Sequence, residues 1–341
     1  MEDNAPITMK DIAKALGVSV ATVSRALKNS PRISAAKREL IKTYAREHQF
    51  YPNMLAESLR NSRSKPLRVI GVIVPQFTHY YFSSVLDGIE QTAATYNYQI
   101  MVGQSGERYE REQHLCKSFF EHKVCGVIVS QAKDTVQYDH FQQLIDYGTP
   151  LVFFDRICTG VNSSRVVVDD YKGAYNAVNY LIQTGCRRIA FYGASMKLEI
   201  SKNRYNGYKD ALLKSGLALD ERLIRYCDNR VDAERITPEM LQMAHRPDAF
   251  FAVNDDTAIG ILNTVKRLGL RVPDEVSICG FTNNDWSVSC DPMLTTVEQR
   301  GVQVGREAAD ILIGQVEGRL PRNKVERRIV KTQLIVRGTT R

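Results

Sequence analysis

The 341-residue sequence predicts an α/β protein made of two unlike parts. The first is an N-terminal helix-turn-helix domain of three helices. The second is a larger core of doubly wound parallel sheets in two lobes. Three observations predict this. Up to about residue 50, apolar residues recur only at helical spacing, in short segments rich in Lys and Arg. From Leu67 onward, short continuous apolar runs alternate with helical stretches, the βαβα rhythm of parallel sheets covered on both faces. The length also exceeds what one hydrophobic core usually serves.

The first helix opens at Thr8, whose hydroxyl can cap it, with Asp11 placed three residues on as in a capping box. Ile12, Ala13 and Leu16 share one face, and Gly17 suits a left-handed helix end. Val18 and Ser19 form a tight turn, and Ser19 can cap a second helix. There Val23, Ala26 and Leu27 fall on one side, with Val20, Ala21, Ser24 and Arg25 on the other. The first side can bury itself. The second, led by its N-terminal residues, has the shape that enters a DNA major groove. Arg25 suits a two-point contact to guanine, and Val20 and Ala21 suit thymine methyls. Ser19, Thr22 and Ser24 suit phosphates, which position without specifying. A third helix runs from Ser34, as its cap, to about His48, with Leu40, Ile41, Tyr44 and Ala45 as its apolar stripe. Residues 1–63 hold 11 Lys and Arg against 6 Asp and Glu, so +5 of the net charge of +8 lies in under a fifth of the chain. That concentration points to a polyanionic partner.

Thr8-Met9-Lys10-Asp11-Ile12-Ala13, Gly17-Val18-Ser19, Thr22-Val23-Ser24-Arg25 and Tyr51-Pro52-Asn53, with Ala56 and Leu59, are similar in order and spacing to the signature of the LacI/GalR family of bacterial transcriptional regulators. The resemblance extends over essentially the whole chain. It implies that Pro52–Arg60 is a hinge helix, paired across a dimer, with Leu59 levered into the minor groove as a wedge. About eight residues cannot hold a helix alone in water, so this segment should order only against a partner. The residues expected at DNA are Thr8, Ser19, Val20, Ala21, Thr22, Ser24, Arg25, Asn29, Ser34, Asn53, Ala56 and Leu59. Domain boundaries follow: 1–50 for the DNA-binding domain, 51–66 for hinge helix and linker, 67–341 for the effector-binding and dimerisation domain. In that last part the resemblance implies a periplasmic-binding-protein-like pair of lobes, 67–163 with 294–326 and 164–293 with 327–341, the chain crossing between them three times.

Strand-like runs in the core are Arg68–Val74, Tyr98–Val102, Gly126–Ser130, Pro150–Phe154, Val166–Val168, Arg188–Tyr192, Ala249–Val253 and Ser277–Phe281, then Leu294–Val297 and Lys331–Arg337. The first strand leads into Val74-Pro75-Gln76-Phe77-Thr78-His79, without the glycines of a dinucleotide or phosphate loop. Gly103-Gln104-Ser105-Gly106-Glu107 misses a nucleophile elbow by its last glycine. No HExxH occurs, and six histidines show no metal spacing. Binding without catalysis is expected, with no cofactor, no metal and no catalytic residue.

Ligands of open α/β sheets sit beyond the carboxyl ends of strands. Those ends offer His79, Tyr80 and Tyr81; Asp155 and Arg156; Asn254 and Asp255; Thr282 and Asn283. Aromatic faces with Asp, Asn and Arg suit a sugar, whose vicinal hydroxyls take two-point hydrogen bonds. Phe82 reads as core instead, and Asp255 reads equally as a helix cap. Arg204, in Ser201-Lys202-Asn203-Arg204-Tyr205, matches the family's effector arginine, and Asp155, Asn254 and Asp255 also match family positions. Many relatives carry Asp where Thr282 stands, which changes the charge offered to the ligand. Trp286, the only tryptophan, follows that loop and is expected to report effector binding.

Seven scattered cysteines without CxxC suit reduced thiols in a cytosolic protein. Met1–Pro6 is acidic and polar, unlike an export signal, and no apolar run is long enough for a membrane span. The expected partners are therefore double-stranded operator DNA, a small-molecule effector of the sugar class, and a second copy in a homodimer, in the cytoplasm and away from membranes. A periplasmic-type solute-binding protein without catalytic activity is the alternative, and it would need an export signal.

Overall fold

The computed structural model describes residues 7–50 and 68–341, and the chain divides into two units between Pro66 and Leu67. The hinge-helix segment, with Asn53, Ala56 and Leu59, lies outside the described residues.

In the first unit, α1 (Met9–Ala15), α2 (Val20–Leu27) and α3 (Ala35–Glu47) pack around Ile12, Ala13, Val23, Ala26, Ile41 and Ala45. The Thr8–Asp11 capping box forms in both directions: Thr8 N donates to Asp11 Oδ2 at 2.8 Å and Asp11 N to Thr8 Oγ1 at 3.4 Å. Gly17 adopts φ +60°, and Val18 N reaches back to Ala13 O at 3.0 Å, closing the helix as a Schellman motif. Two details differ from the sequence reading. Ser34 occupies the N-cap of α3 but its side chain makes no capping bond. Leu40 leaves the core and is 57% exposed, because Ile41 and Ala45 already fill the space above α1 and α2.

The second unit holds two six-stranded sheets. In chain order the first lobe contains β1 (Val69–Val74), α4 (Tyr80–Thr95), β2 (Gln99–Gln104), α5 (Tyr109–Glu121), β3 (Gly126–Val129), α6 (Asp139–Asp146), β4 (Leu151–Phe154) and β5 (Ser164–Val168). The second contains α7 (Asp170–Gln183), β6 (Ile189–Gly193), α8 (Glu199–Lys214), β7 (Ile224–Tyr226), α9 (Arg230–Leu241), β8 (Ala249–Ala252), α10 (Asp255–Arg267), β9 (Ser277–Thr282), α11 (Trp286–Ser289) and β10 (Thr295–Glu298). The chain then returns to the first lobe with α12 (Gly301–Val316) and β11 (Arg327–Val330), and crosses back with β12 (Gln333–Ile335). The strand orders are β11-β5-β4-β3-β1-β2 and β12-β10-β9-β8-β6-β7. All pairs are parallel except β10 with β12. Apolar side chains cover both faces of each sheet, which is why β1, β3, β4, β6, β8 and β9 read as unbroken apolar runs.

The three crossings are present, but three strands belong to the lobe opposite to the one expected, among them Arg327–Val330, which joins the first-lobe sheet rather than the second. Thr295–Glu298 pairs with β9 of the second lobe, not with the first. Ser164–Val168 pairs with β4 and β11 of the first lobe. All three are short strands at a crossing, where the local pattern is the same for either sheet and pairing partners are set by the path of the chain. β7 and β11, too polar to read as strands, were missed.

Helix α12 lies against α4 so closely that only glycine fits at the contact. A Cβ on Gly305 would stand 2.1 Å from Val85 O, and one on Gly88 at 2.1 Å from Val302 O. Replacing Gly305 with alanine forces the helices apart. A loss of about 2–3 kcal/mol is expected in urea unfolding of the effector core.

Candidate effector cleft and nucleic-acid interface

Strands β1, β4, β8 and β9 end at the same cleft between the two lobes. Each presents residues at or just beyond its carboxyl end, where ligands of open parallel sheets sit. The inner cavity is lined by His79, Tyr81 and Phe82 from the start of α4, Asp155 and Arg156 after β4, Arg204 and Ser201 from α8, Val253 and Asn254 after β8, and Thr282 at the end of β9. Seven of the ten expected effector residues thus converge: His79, Tyr81, Asp155, Arg156, Arg204, Asn254 and Thr282.

Tyr80, Asp255 and Asn283 do not line this cavity. Tyr80 is 38% exposed, one residue out of phase on α4. Asp255 is fully buried, where it accepts from Asn284 N at 2.8 Å and from Thr296 Oγ1 at 2.5 Å. It ties β9 to β10, and Asn254 rather than Asp255 caps α10, taking Thr257 N at 2.8 Å. Burial pushes the Asp255 carboxyl up to about 6, against those two hydrogen bonds. Asn283 is held by Arg337, at 2.7 Å, and by Glu298. Phe82 is core, as expected, yet its ring also faces the cavity beneath the Arg156 guanidinium, 5.5 Å away. Trp286 is 65% exposed and absent from the lining, so the expected fluorescence response has no direct contact to carry it.

The cleft's polar atoms fall into two sets. The first is engaged through Arg204. Arg204 pairs with Asp170 at 2.7 Å through both Nε and Nη2, donates Nη1 to Val253 O at 2.6 Å, and lies 3.9 Å over the Phe281 ring. Burial pushes the Asp170 carboxyl up to about 6, and the Arg204 guanidinium opposes this. Three of the five guanidinium N–H groups are occupied and two remain. The second set is buried with no hydrogen bond among the described residues: His79 Nδ1, Tyr81 Oη, Asp155 Oδ1 and Arg156 Nε, the last 3.9 Å from Asp155 Oδ2. Each such atom costs roughly 1–3 kcal/mol of lost hydration, which a ligand's hydroxyls would restore. Burial, reinforced by Arg156, lowers the His79 ring to about 4, so it is neutral at physiological pH and can donate or accept. Burial raises Asp155 above the usual carboxylate range, opposed by Arg156 and Arg204. Burial, with Asp155 next, raises Tyr81 well above the ordinary phenol.

Two strained backbone positions also lie at this place. Asp155 adopts φ +57° and the β-branched Thr282 φ +139°. Neither is a glycine, and such conformations cluster where a site holds a side chain in a fixed direction. Lys133, Asp228 and Gln299 also line the cavity and were missed in the sequence. The rule that found His79 and Asp155 applies equally to the ends of β3 and β7, which precede Lys133 and Asp228 and had not been read.

The helix-turn-helix unit presents its expected face. In α2, Val23 and Ala26 are buried, Ala21 and Arg25 are exposed, and Val20, Thr22 and Ser24 are half-buried. The Arg25 side chain makes no hydrogen bond or ion pair within the described residues, so its guanidinium is open to an external acceptor. Ser19 Oγ and Thr22 Oγ1 lie 2.9 Å apart and Ser19 caps α2 at 3.1 Å, so both hydroxyls are partly occupied. Thr8 serves the capping box. Asn29, at φ +56°, accepts Arg38 on its carbonyl at 3.2 Å and Lys42 on its side chain. These residues shape the surface, while Arg25, Ala21 and Ser24 share the side of α2 away from its core and Val20, half-buried, packs at the edge of that core.

Two sequence-family profiles match the chain. One, described as bacterial regulatory proteins, lacI family, matches residues 8–53. The other, periplasmic binding protein-like domain, matches residues 178–340. The HTH-type transcriptional repressor CytR of Escherichia coli (strain K12) is 32% identical over 335 residues, which cover 98% of this chain and 96% of CytR. The HTH-type transcriptional repressor PurR of Vibrio atlanticus (strain LGP32) is 28% identical, covering 91% and 92%. Among solved structures, the transcriptional regulator CelR–cellobiose complex has a TM-score of 0.74 at 26% identity, over 98% of this chain and 99% of CelR. The lac repressor dimer bound to operator and the anti-inducer ONPF shares the fold, with a TM-score of 0.85 at 22% identity, over 98% and 99%. With a helix-turn-helix at its head, two parallel-sheet lobes behind it and a relative this similar along nearly its full length, the chain belongs to the LacI family of bacterial regulatory proteins.

Proposed function

We propose that this chain is a transcriptional repressor, not an enzyme, whose affinity for operator DNA is set by a small carbohydrate-like effector held between its lobes. One observation carries the effector reading: four buried polar atoms of His79, Tyr81, Asp155 and Arg156, with no hydrogen bond among the described residues, converge on one cavity beside the Phe82 ring. A polyhydroxylated ring offers donors and acceptors to all four and an apolar face to the aromatic. The CelR–cellobiose complex among its structural relatives supports the sugar class. The family, with CytR and PurR named as repressors, supports the DNA partner, the homodimer and a cytoplasmic site of action. No described helix is long and apolar enough to cross a membrane. The solute-binding alternative leaves the basic helix-turn-helix domain without a purpose.

The switch is linkage: effector changes the relation of the lobes, and with it the ability of paired hinge segments to fold on DNA. A coupling of roughly 1–3 kcal/mol per effector suffices. The test is a selection of binding sites from random duplex DNA, followed by titration of sugars against the selected complex. A pseudo-palindromic site whose affinity shifts with one sugar is the expected result. No selected site, or a site indifferent to every sugar that calorimetry shows to bind, would refute the reading. In the same assay, Arg25→Ala should weaken binding by about 1–3 kcal/mol and relax preference at one base pair in each half-site.

A further inference from the structure

Lys133 lies in the loop after β3 of the first lobe, and Asp228 just after β7 of the second. Lys133 Nζ and Asp228 Oδ2 meet at 2.5 Å across the cleft. Away from the three crossing segments, this is the only hydrogen bond or ion pair joining the lobes among the described residues. Both side chains are about two-thirds or more covered, at 31% and 27% exposure.

Both ends of this pair are anchored to the ligand cavity. Lys133 N donates to Glu107 Oε2 at 3.0 Å, and Glu107 in turn holds Arg156 at 2.7 and 2.9 Å. Next to it, Ala132 N donates to the fully buried Glu112 at 2.7 Å, as does Thr135 Oγ1 at 2.6 Å. The loop therefore cannot swing without breaking bonds to two carboxylates. On the far side Asn254 Nδ2 donates to Asp228 O at 2.8 Å. Of the residues expected to touch the effector, Asn254 thus lies one hydrogen bond from the pair and Arg156 two, through Glu107.

The cavity behind the pair has a volume of about 60 Å³. That holds a few waters and falls well short of the roughly 300 Å³ at which ligand pockets begin. In front of it, an outer chamber of about 790 Å³ is lined by Gly193–Lys197 and Tyr226–Asp228 and shares Lys133 and Asp228 with the inner one. A ring cannot pass inward, or lie there, at this lobe separation.

We propose that Lys133 and Asp228 form a cross-lobe latch that holds the cleft closed and that an effector must part to enter. The latch sets the effector threshold. It favours ligands carrying an acceptor for the ammonium and a donor for the carboxylate, which replace the lost pair. Its strength falls with ionic strength, since both groups are partly solvated.

The test needs no ligand, so it stands apart from the sugar reading. The backbone N–H groups of Tyr81, in the first turn of α4, and of Ile200, in the first turn of α8, lack intrahelical acceptors, and both residues line the inner cavity. Their hydrogen exchange in the full chain should quicken about threefold to tenfold in Lys133→Met and in Asp228→Asn. Lys133→Arg should keep the native rates. The Lys133→Met/Asp228→Asn double variant should exchange no faster than either single one, the signature of one shared interaction. Raising salt from 50 to 500 mM should quicken exchange in the native chain and leave the variants unmoved. Unchanged rates in both single variants, or additive increases in the double one at unaltered melting temperatures, would overturn the latch.

Discussion

Arg204→Met should destabilise the effector core by about 3–5 kcal/mol. The substitution leaves Asp170 fully buried beside Val253 O with no cation to compensate it, the costliest way to break a buried pair. The methionine still fills the space over Phe281, so the loss is electrostatic rather than a cavity. pH separates the two. Asp170 already titrates near 6, above its unfolded value of 3.8, so the folded state binds its proton more tightly. Stability linked to this group is fully present below about pH 4 and falls as pH rises through about 6. Without Arg204 the carboxyl rises further. The penalty read by denaturant unfolding should be largest near pH 8 and shrink markedly by pH 5. A penalty equal at both pH values would show that packing, not charge, is what Arg204 supplies. The Arg204→Met, Asp170→Asn double variant should recover most of the loss, since the remaining amide is far cheaper to bury than an unpaired charge.

Removing residues 1–66 should abolish operator binding, by a factor of at least about 10³, while leaving effector binding within about threefold. The division at Pro66–Leu67 and the separate core of Ile12, Val23 and Ile41 make each unit self-contained. The basic surplus leaves with the first unit, and with it both base reading and most nonspecific attraction to phosphate. Operator affinity that survived the truncation would move the DNA interface into the lobes. Effector affinity lost with it would mean that the cleft is completed by the N-terminal unit.

Most of the first unit was legible in the sequence, because caps and helical periods are local. Thr8 with Asp11, Gly17 and Ser19 act within four residues of themselves, and each does what its position implies. The central strands were legible for a similar reason: burial on both faces leaves an unbroken apolar run. What failed was non-local. Nothing within Thr295–Glu298 says which sheet it joins. The choice rests on β9 and on the return of α12 to the first lobe, held by the Gly88 and Gly305 contacts. At the cleft, residues at or after the ends of β1, β4, β8 and β9 were found, whereas Lys133 lies four residues past the equally apolar β3 and was passed over. Asp228 follows Ile224–Tyr226, a strand of three residues with one side chain exposed, and so escaped notice. Asp255 shows the reverse error. A carboxylate after a strand looks like a ligand, and only the buried partners Thr296 and Asn284 show that it fastens two strands together.

The outer strand of each sheet comes from the far end of the chain. Arg327–Val330 completes the sheet begun by Val69–Val74, and Gln333–Ile335 completes the other. During synthesis, Ser164 waits for Glu326, its hydrogen-bond partner 162 residues later. The helix-turn-helix, whose contacts are all local, can fold on a ribosome that has not yet made either sheet's last strand. A nascent or prematurely ended chain would therefore carry a finished helix-turn-helix ahead of two unfinished sheets, grasping DNA weakly and without the control that complete lobes supply.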